Sequence, residues 1–240
     1  MSLLEVQDLT VTIHQDGTAT DLVRDISYTI KPGETLALVG ESGSGKSVSS
    51  LAVMGLLAKS LNVTSGSVTF DGRDLLSLSK DEMRKIRGRD ISMVFQEPMT
   101  SLNPVRSIGS QIIESIEQNL NLTRVQAQSR ALDLLKEVGV ADPERRLKQY
   151  PHHFSGGMRQ RVMIAIALAA DPKLIIADEP TTALDVTIQA QILDLMARVC
   201  RAHGTAMVLI THNLGIVARY ADRVNVMYAG RIVESGKARD

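Results

Sequence analysis

Short apolar runs of strand length occupy both ends of this chain, and stretches with helical spacing fill its middle. The run Thr35-Leu36-Ala37-Leu38-Val39 is unbroken and bounded by turn residues, which predicts a buried strand, and 47–57 behind it reads as a helix. Upstream, 3–6, 10–13 and 26–30 predict strands, with a turn at Lys31-Pro32-Gly33-Glu34, and 67–70 followed by Asp71-Gly72 adds another strand and turn. Past a strand at 91–95 the pattern changes, because 108–120 and 124–138 repeat their apolar positions at helical spacing. From Leu174 a strand-helix alternation returns: helix 186–203, strand 206–211, helix 214–219, strand 223–227 and a turn at Gly230. The pattern predicts an α/β chain with a parallel core, a mainly antiparallel β portion and an inserted helical segment.

Chemistry enters directly behind the strand at 35–39. Gly40-Glu41-Ser42-Gly43-Ser44-Gly45-Lys46-Ser47 fits G-x-x-x-x-G-K-[ST], and its position between a strand and a helix is the one that phosphate binding requires. In that geometry the backbone N–H groups and the helix N-terminus point at phosphates, and glycines allow an approach that a Cβ would block. Lys46 would neutralise the β/γ-phosphates of a nucleotide, and the Ser47 hydroxyl would ligate Mg²⁺. A Gly/Ser-rich turn with a chance lysine is the bland alternative, and the flanking elements speak against it.

A second segment, Leu174-Ile175-Ile176-Ala177-Asp178-Glu179, reads as a buried parallel strand with two acids at its carboxyl end, where open α/β sheets bind ligands. Asp178 is the expected Mg²⁺ partner, and strand alternation would point Glu179 elsewhere, free to polarise a water molecule. Alone, two acids before Pro180 would be an ordinary strand end; beside the phosphate loop they form half of a nucleotide site.

Composition narrows the setting. The 240 residues suffice for a full core, and 27 basic against 27 acidic residues leave no global field for nucleic acid or anionic lipid. Cys200, the one cysteine, cannot form an internal disulfide and reads as a buried, inert thiol. No signal peptide is apparent at the amino terminus, and the longest apolar run, 162–170, is too short to span a bilayer, so a membrane role would act through a partner. The cluster Arg84, Lys85, Arg87, Arg89 reads as a solvated face, and His152-His153 as a surface turn.

Between the two nucleotide segments stands Phe154-Ser155-Gly156-Gly157-Met158-Arg159-Gln160-Arg161 ahead of an apolar helix. In isolation it is equally an anion site and an N-cap with a permissive turn. Placed before the Asp178-Glu179 strand, with Gln96 ahead of it and Thr182-Ala183-Leu184-Asp185 and then His212 behind, it resembles the signature of ATP-binding cassette (ABC) ATPases, a resemblance that covers essentially the whole chain. What the resemblance implies is specific. Two cassettes would face head to tail, each ATP lying between one phosphate loop and the other cassette's Ser155, Gly156 and Gly157. Gln96 would reach the Mg²⁺ and the attacking water, Asp185 would lie at the dimer interface, and His212 would hold the γ-phosphate and orient Glu179. Catalysis would then rest on Glu179, His212 and Gln96, with ATP and Mg²⁺ as cofactors and Ser47, Gln96 and Asp178 around the metal. As isolated residues, Gln96 is a polar strand end, Asp185 an N-cap and His212 a structural histidine.

The family division would place the nucleotide-binding core and β subdomain in 1–97 and 171–240 and the helical signature subdomain in 98–170. Phe154 and Met158 stand where many members carry leucine and glutamine, and the adenine neighbourhood offers Ile13 and His14 where many carry an aromatic residue. The stretch Phe95-Gln96-Glu97-Pro98-Met99-Thr100-Ser101-Leu102-Asn103-Pro104 is similar to that of ATPase subunits of the bacterial peptide/nickel importer group. Such a subunit would be peripheral, at the cytoplasmic face of the inner membrane. Its partners would be a second cassette, two membrane permease subunits whose cytoplasmic helices dock beside Gln96 and the Pro98 to Pro104 loop, and an external solute-binding protein, with no nucleic acid. Three other readings are a soluble ABC ATPase acting on nucleic acid or ribosomes, a self-contained phosphate-loop kinase or GTPase, and a catalytically silent binding subunit. Neutral charge weighs against the first, and Lys46, Asp178, Glu179 and His212 against the last.

Overall fold

The computed structural model describes residues 1–15, 17–96, 101–182 and 184–238. Its elements are β1 (Leu4–Gln15), β2 (Thr18–Ile30), β3 (Thr35–Val39), α1 (Lys46–Val53), β4 (Leu61–Phe70), β5 (Arg73–Asp74), α2 (Lys80–Ile86), β6 (Ile91–Val94), α3 (Ile108–Asn119), α4 (Arg124–Glu137), α5 (Pro143–Arg146), α6 (Gly156–Ala167), β7 (Leu174–Asp178), α7 (Val186–His203), β8 (Ala206–Thr211), α8 (Leu214–Tyr220), β9 (Arg223–Tyr228) and β10 (Arg231–Lys237). The chain forms two compact units, residues 1–84 with 206–240, and residues 85–205.

The first unit contains an antiparallel sheet in the order β2-β1-β4-β5. The two early strands expected at 3–6 and 10–13 are one strand, β1, because the chain bulges instead of ending between them. Its register shifts against both neighbours around Asp8, which takes the left-handed φ of 47° and lets the strand continue on the far side. The same unit holds β10-β9-β3-β8, with β3 parallel to both β8 and β9 and β10 antiparallel to β9. Ala37 and Val39 on one face of β3 pack with Val217 of α8, with Ala221 just past the end of that helix, and with Val224 and Val226 of β9. Such a strand, flanked on both edges and covered, has to be an unbroken apolar run.

In the second unit β6 and β7 pair in parallel, Ile91 against Leu174 through Val94 against Ala177. The helices around them show why each forms. Ile108, Ile112, Ile113 and Ile116 line one face of α3, and Ala127, Ala131, Leu134 and Leu135 one face of α4, which opens on a capping box between Thr123 and Gln126. α6 is buried around most of its circumference, from Gln160 and Val162 to Ala167, so it shows no polar stripe. α7 is bracketed by the Asp185 N-cap and by Gly204 in the left-handed C-cap conformation. On its buried face, desolvation pushes the Cys200 thiol up to about 12, which leaves almost no thiolate near neutral pH and no basis for nucleophilic chemistry. No helix among the described residues is long and apolar enough to cross a membrane.

Candidate nucleotide site

In the first unit, β3 delivers the chain at Val39 into the loop 40–45, and α1 starts at Lys46. Gly40 and Gly45 adopt φ of 154° and 99°. A Cβ at Gly40 would stand 2.2 Å from the carbonyl oxygen of Met227, and one at Gly45 would stand 2.8 Å from that of Leu22, so neighbouring backbone presses on both positions. The loop is braced by Gly230, whose N–H donates to the Ser44 carbonyl at 3.1 Å. Lys46 is buried, and its ammonium donates to the carbonyls of Gly40 at 2.8 Å and Glu41 at 2.7 Å and to Ser44 Oγ at 3.2 Å. A cation is thereby fixed inside the ring of the loop. At the start of α1 the N-cap is Gly45, with no side-chain cap, and the first turn carries no acid, so the positive end of the helix is left for an anion.

The parallel register brings a further residue to this loop. Val39 pairs with Thr211, so β3 and β8 end level, and the residues that follow them, Gly40 and His212, emerge at the same edge. His212 is exposed there, ahead of Asn213, which caps α8 through the N–H of Gly215 at 3.0 Å.

In the second unit the level ends of β6 and β7 place Gln96 against Glu179, with Gln96 Nε2 donating to Glu179 Oε2 at 3.4 Å. With the amide nitrogen turned to the carboxylate, Gln96 Oε1 remains as an oxygen donor. Strand alternation does not set the direction of Glu179, as the sequence had led us to expect. β7 ends at Asp178, and Glu179 takes a left-handed φ of 45°, a conformation that costs a non-glycine residue energy and recurs at functional sites. Thr182 stabilises the turn, its Oγ1 donating to Glu179 Oε2 at 2.8 Å. This role for Thr182 was not read from the sequence; a hydroxyl three residues beyond the acid is the signal that could have shown it.

Ser155 is the N-cap of α6, accepting from the N–H of Met158 at 3.4 Å, and Ser155 and Gly156 are exposed at the start of that helix. The capping alternative is thus realised, and it leaves the positive end of a twelve-residue helix facing outward. Asp185 likewise caps α7, accepting from the N–H of Ile188 at 3.0 Å, with its neighbour Val186 strongly exposed. Beside β6 lies an open apolar pocket of about 410 Å³ lined by Met93, Phe95, Ser101, Leu102, Met163 and Ile166. Pro98, in the loop expected to dock membrane helices, and Ala183, in the Thr182 to Asp185 stretch, lie outside the described residues. Tyr150 and His152 stack at 5.8 Å, and His153 Nδ1 accepts from the Tyr150 N–H at 3.2 Å, an aromatic surface turn in which His153 is already engaged.

Strand, glycine-bounded loop, buried lysine and uncapped helix N-terminus define a phosphate-loop nucleotide-binding protein. The sequence profile of the ABC transporter family matches residues 23–182, and the chain belongs to that family. It is 54% identical over 235 residues to the peptidoglycan transport ATP-binding protein YejF of Agrobacterium fabrum, covering 98% of this chain and 43% of that protein. Over 235 residues it is 53% identical to the oligopeptide transport ATP-binding protein OppD of Bacillus subtilis, covering 98% of this chain and 66% of that one. It thus spans between about two fifths and two thirds of the length of these two relatives. Among solved structures, the ATP-binding cassette MJ0796, a dimer in a post-hydrolysis state bound to ADP and Pi, superimposes with a TM-score of 0.87 at 28% identity, covering 99% of both chains. The α/β fold is that of an ABC cassette.

Proposed function

We propose that this chain is the ATP-hydrolysing cassette of a peptide importer. The observation that carries the proposal is that each unit holds a preformed device of its own, a lysine fixed inside a phosphate loop in the first and a strand-end carboxylate, Glu179, held by Gln96 and Thr182 in the second. Residues 40–47 would cradle the phosphates. Glu179 would take a proton from the water that attacks the γ-phosphate in line with the departing diphosphate, and His212 would hold the γ-phosphate and orient Glu179. Ser47, Gln96 and Asp178 offer oxygen donors that suit Mg²⁺. No group of three His, Cys, Asp or Glu among the described residues could hold a metal, so the ion would take much of its shell from nucleotide and water. When bound, Mg²⁺ supplies charge neutralisation at the β/γ oxygens.

Ser155, Gly156 and Gly157 would meet the γ-phosphate held by a second cassette, with Asp185 at the same interface. The functional division would be a nucleotide core in 1–97 and 171–240 and a helical signature subdomain in 98–170. The apolar pocket at Met93, Phe95 and Leu102 supports docking of short cytoplasmic helices of two membrane permease subunits, which would make the chain peripheral at the cytoplasmic face of the inner membrane. An external solute-binding protein would deliver the peptide. The names of the relatives, which include oligopeptide and dipeptide transport ATP-binding proteins, support the choice of cargo.

The test is reconstitution with its membrane subunits and binding protein in lipid vesicles, assayed for uptake of a labelled tripeptide. The expected result is uptake that requires ATP, with hydrolysis stimulated by peptide-loaded binding protein. Hydrolysis stimulated by RNA or ribosomes, and indifferent to peptide, would overturn the transport reading.

A further inference from the structure

We infer that Gln111 is a positioning residue of the docking surface: its side-chain amide clamps the turn at 103–106, next to the Ser101-Leu102 wall of the apolar pocket, and so presets the shape that receives a cytoplasmic helix of a membrane subunit. This rests on the docking reading above and deepens it. Gln111 lies at the end of the first turn of α3 and is half-buried. Its Oε1 accepts from the Asn103 N–H at 2.9 Å, and its Nε2 donates to the carbonyls of Asn103 and Arg106, both at 3.1 Å. A primary amide has one oxygen that accepts and two N–H groups that donate. Here the oxygen and the nitrogen both serve the backbone of one turn, and toward Asn103 they offer the donor and acceptor that a neighbouring strand would offer.

Packing alone does not call for this arrangement. Asn103, Pro104 and Val105 are exposed, so their backbone groups could bond water instead, and a residue that only filled space beside the turn would need no amide. Two further contacts act on the same turn. Asn103 Oδ1 accepts from the Val105 N–H at 3.1 Å, and Arg106 pairs with Glu114, three residues beyond Gln111 along α3. One rigid helix thereby holds both ends of the turn. What the turn secures is Leu102, buried in the pocket wall and directly joined to the clamped Asn103. All the lining residues but Ser101 are apolar, and the clamped turn carries Val105 strongly exposed, which suits the apolar face of a short amphipathic helix. Without the clamp that helix would have to order the segment as it binds, a cost that weakens association.

The experiment compares Gln111→Leu and Gln111→Glu with the unaltered chain. The readouts are binding to its membrane subunits in lipid nanodiscs, ATP hydrolysis by the isolated chain, and amide hydrogen exchange across 101–107. Leucine removes the clamp, whereas glutamate keeps the size of the side chain and sets a carboxylate oxygen against the two carbonyls. The clamp predicts that both variants bind the membrane subunits about 10- to 100-fold more weakly, the loss expected for one or two hydrogen bonds and the order they impose. It also predicts faster exchange at Asn103, with kcat and KM of the isolated chain within about twofold of the unaltered values. Unchanged binding in either variant would overturn the clamp, and so would unchanged exchange at Asn103. A joint loss of basal hydrolysis and binding would overturn it as well, since that marks a residue of general structure. If the unaltered chain itself does not bind the membrane subunits, the docking reading falls and the clamp with it; if it binds and the variants bind equally, the clamp alone falls.

Discussion

Glu179→Gln is expected to lower ATP turnover by about 10²- to 10⁴-fold, the range for removal of a positioned general base, while leaving ATP affinity nearly unchanged. The substitution keeps the shape of the side chain and an oxygen that can still accept from Thr182 Oγ1, which now stands 2.8 Å from the carboxylate, so the left-handed turn at φ 45° should persist. What it removes is basicity. ATP would bind, the water would meet no adequate base, and the nucleotide would remain between two cassettes. Size-exclusion chromatography should show the variant as a dimer with Mg·ATP and as a monomer without it. Turnover at the wild-type rate would remove Glu179 from the chemistry.

Lys46→Ala acts at the earlier step and gives the opposite pattern. Its ammonium is held by two loop carbonyls and Ser44 Oγ, at the place where the phosphates of a nucleotide would add negative charge. A hydrogen bond to a charged group contributes about 1.5–3 kcal/mol. Its loss corresponds to about 10- to 100-fold weaker ATP binding. The same truncation leaves the carbonyls of Gly40 and Glu41 without this donor, so a lower melting temperature is also expected. Titration with a fluorescent ATP analogue measures the affinity; affinity equal to that of the unaltered chain would contradict the loop assignment.

The two variants separate because binding and hydrolysis are assigned to different elements, and those elements differed in how plainly the sequence displayed them. α7 could be bounded at 186–203 from the residues alone, since Asp185 caps one end and Gly204 closes the other. β3 and the loop behind it were equally plain, because a covered central strand is an apolar run and the loop glycines are spaced by the backbone they must turn. α6 was harder: the apolar stretch starts at Val162, but Ser155 nucleates the helix seven residues earlier across two glycines, which are weak helix formers. β10 and α2 left no pattern, β10 being exposed along nearly its whole length and α2 short.

Around the site, residues that follow strand ends were legible because parallel strands end level, which is how Gln96 comes to Glu179 and His212 to Gly40. Thr182 as the support of Glu179 and the left-handed turn that aims that carboxylate were not. Each depends on a local conformation or on a neighbour brought in by packing, and neither is written in periodicity.

The most direct measurement of the central claim, that the hydrolytic site is completed by a second copy of the chain, is Mg·ATP hydrolysis across a dilution series of the purified protein. The account predicts that specific activity rises with protein concentration and then levels as the dimer fills. A specific activity that stays flat down to the lowest concentration, with Glu179→Gln inactive beside it, would mean that one chain holds a whole site, and would contradict the head-to-tail arrangement.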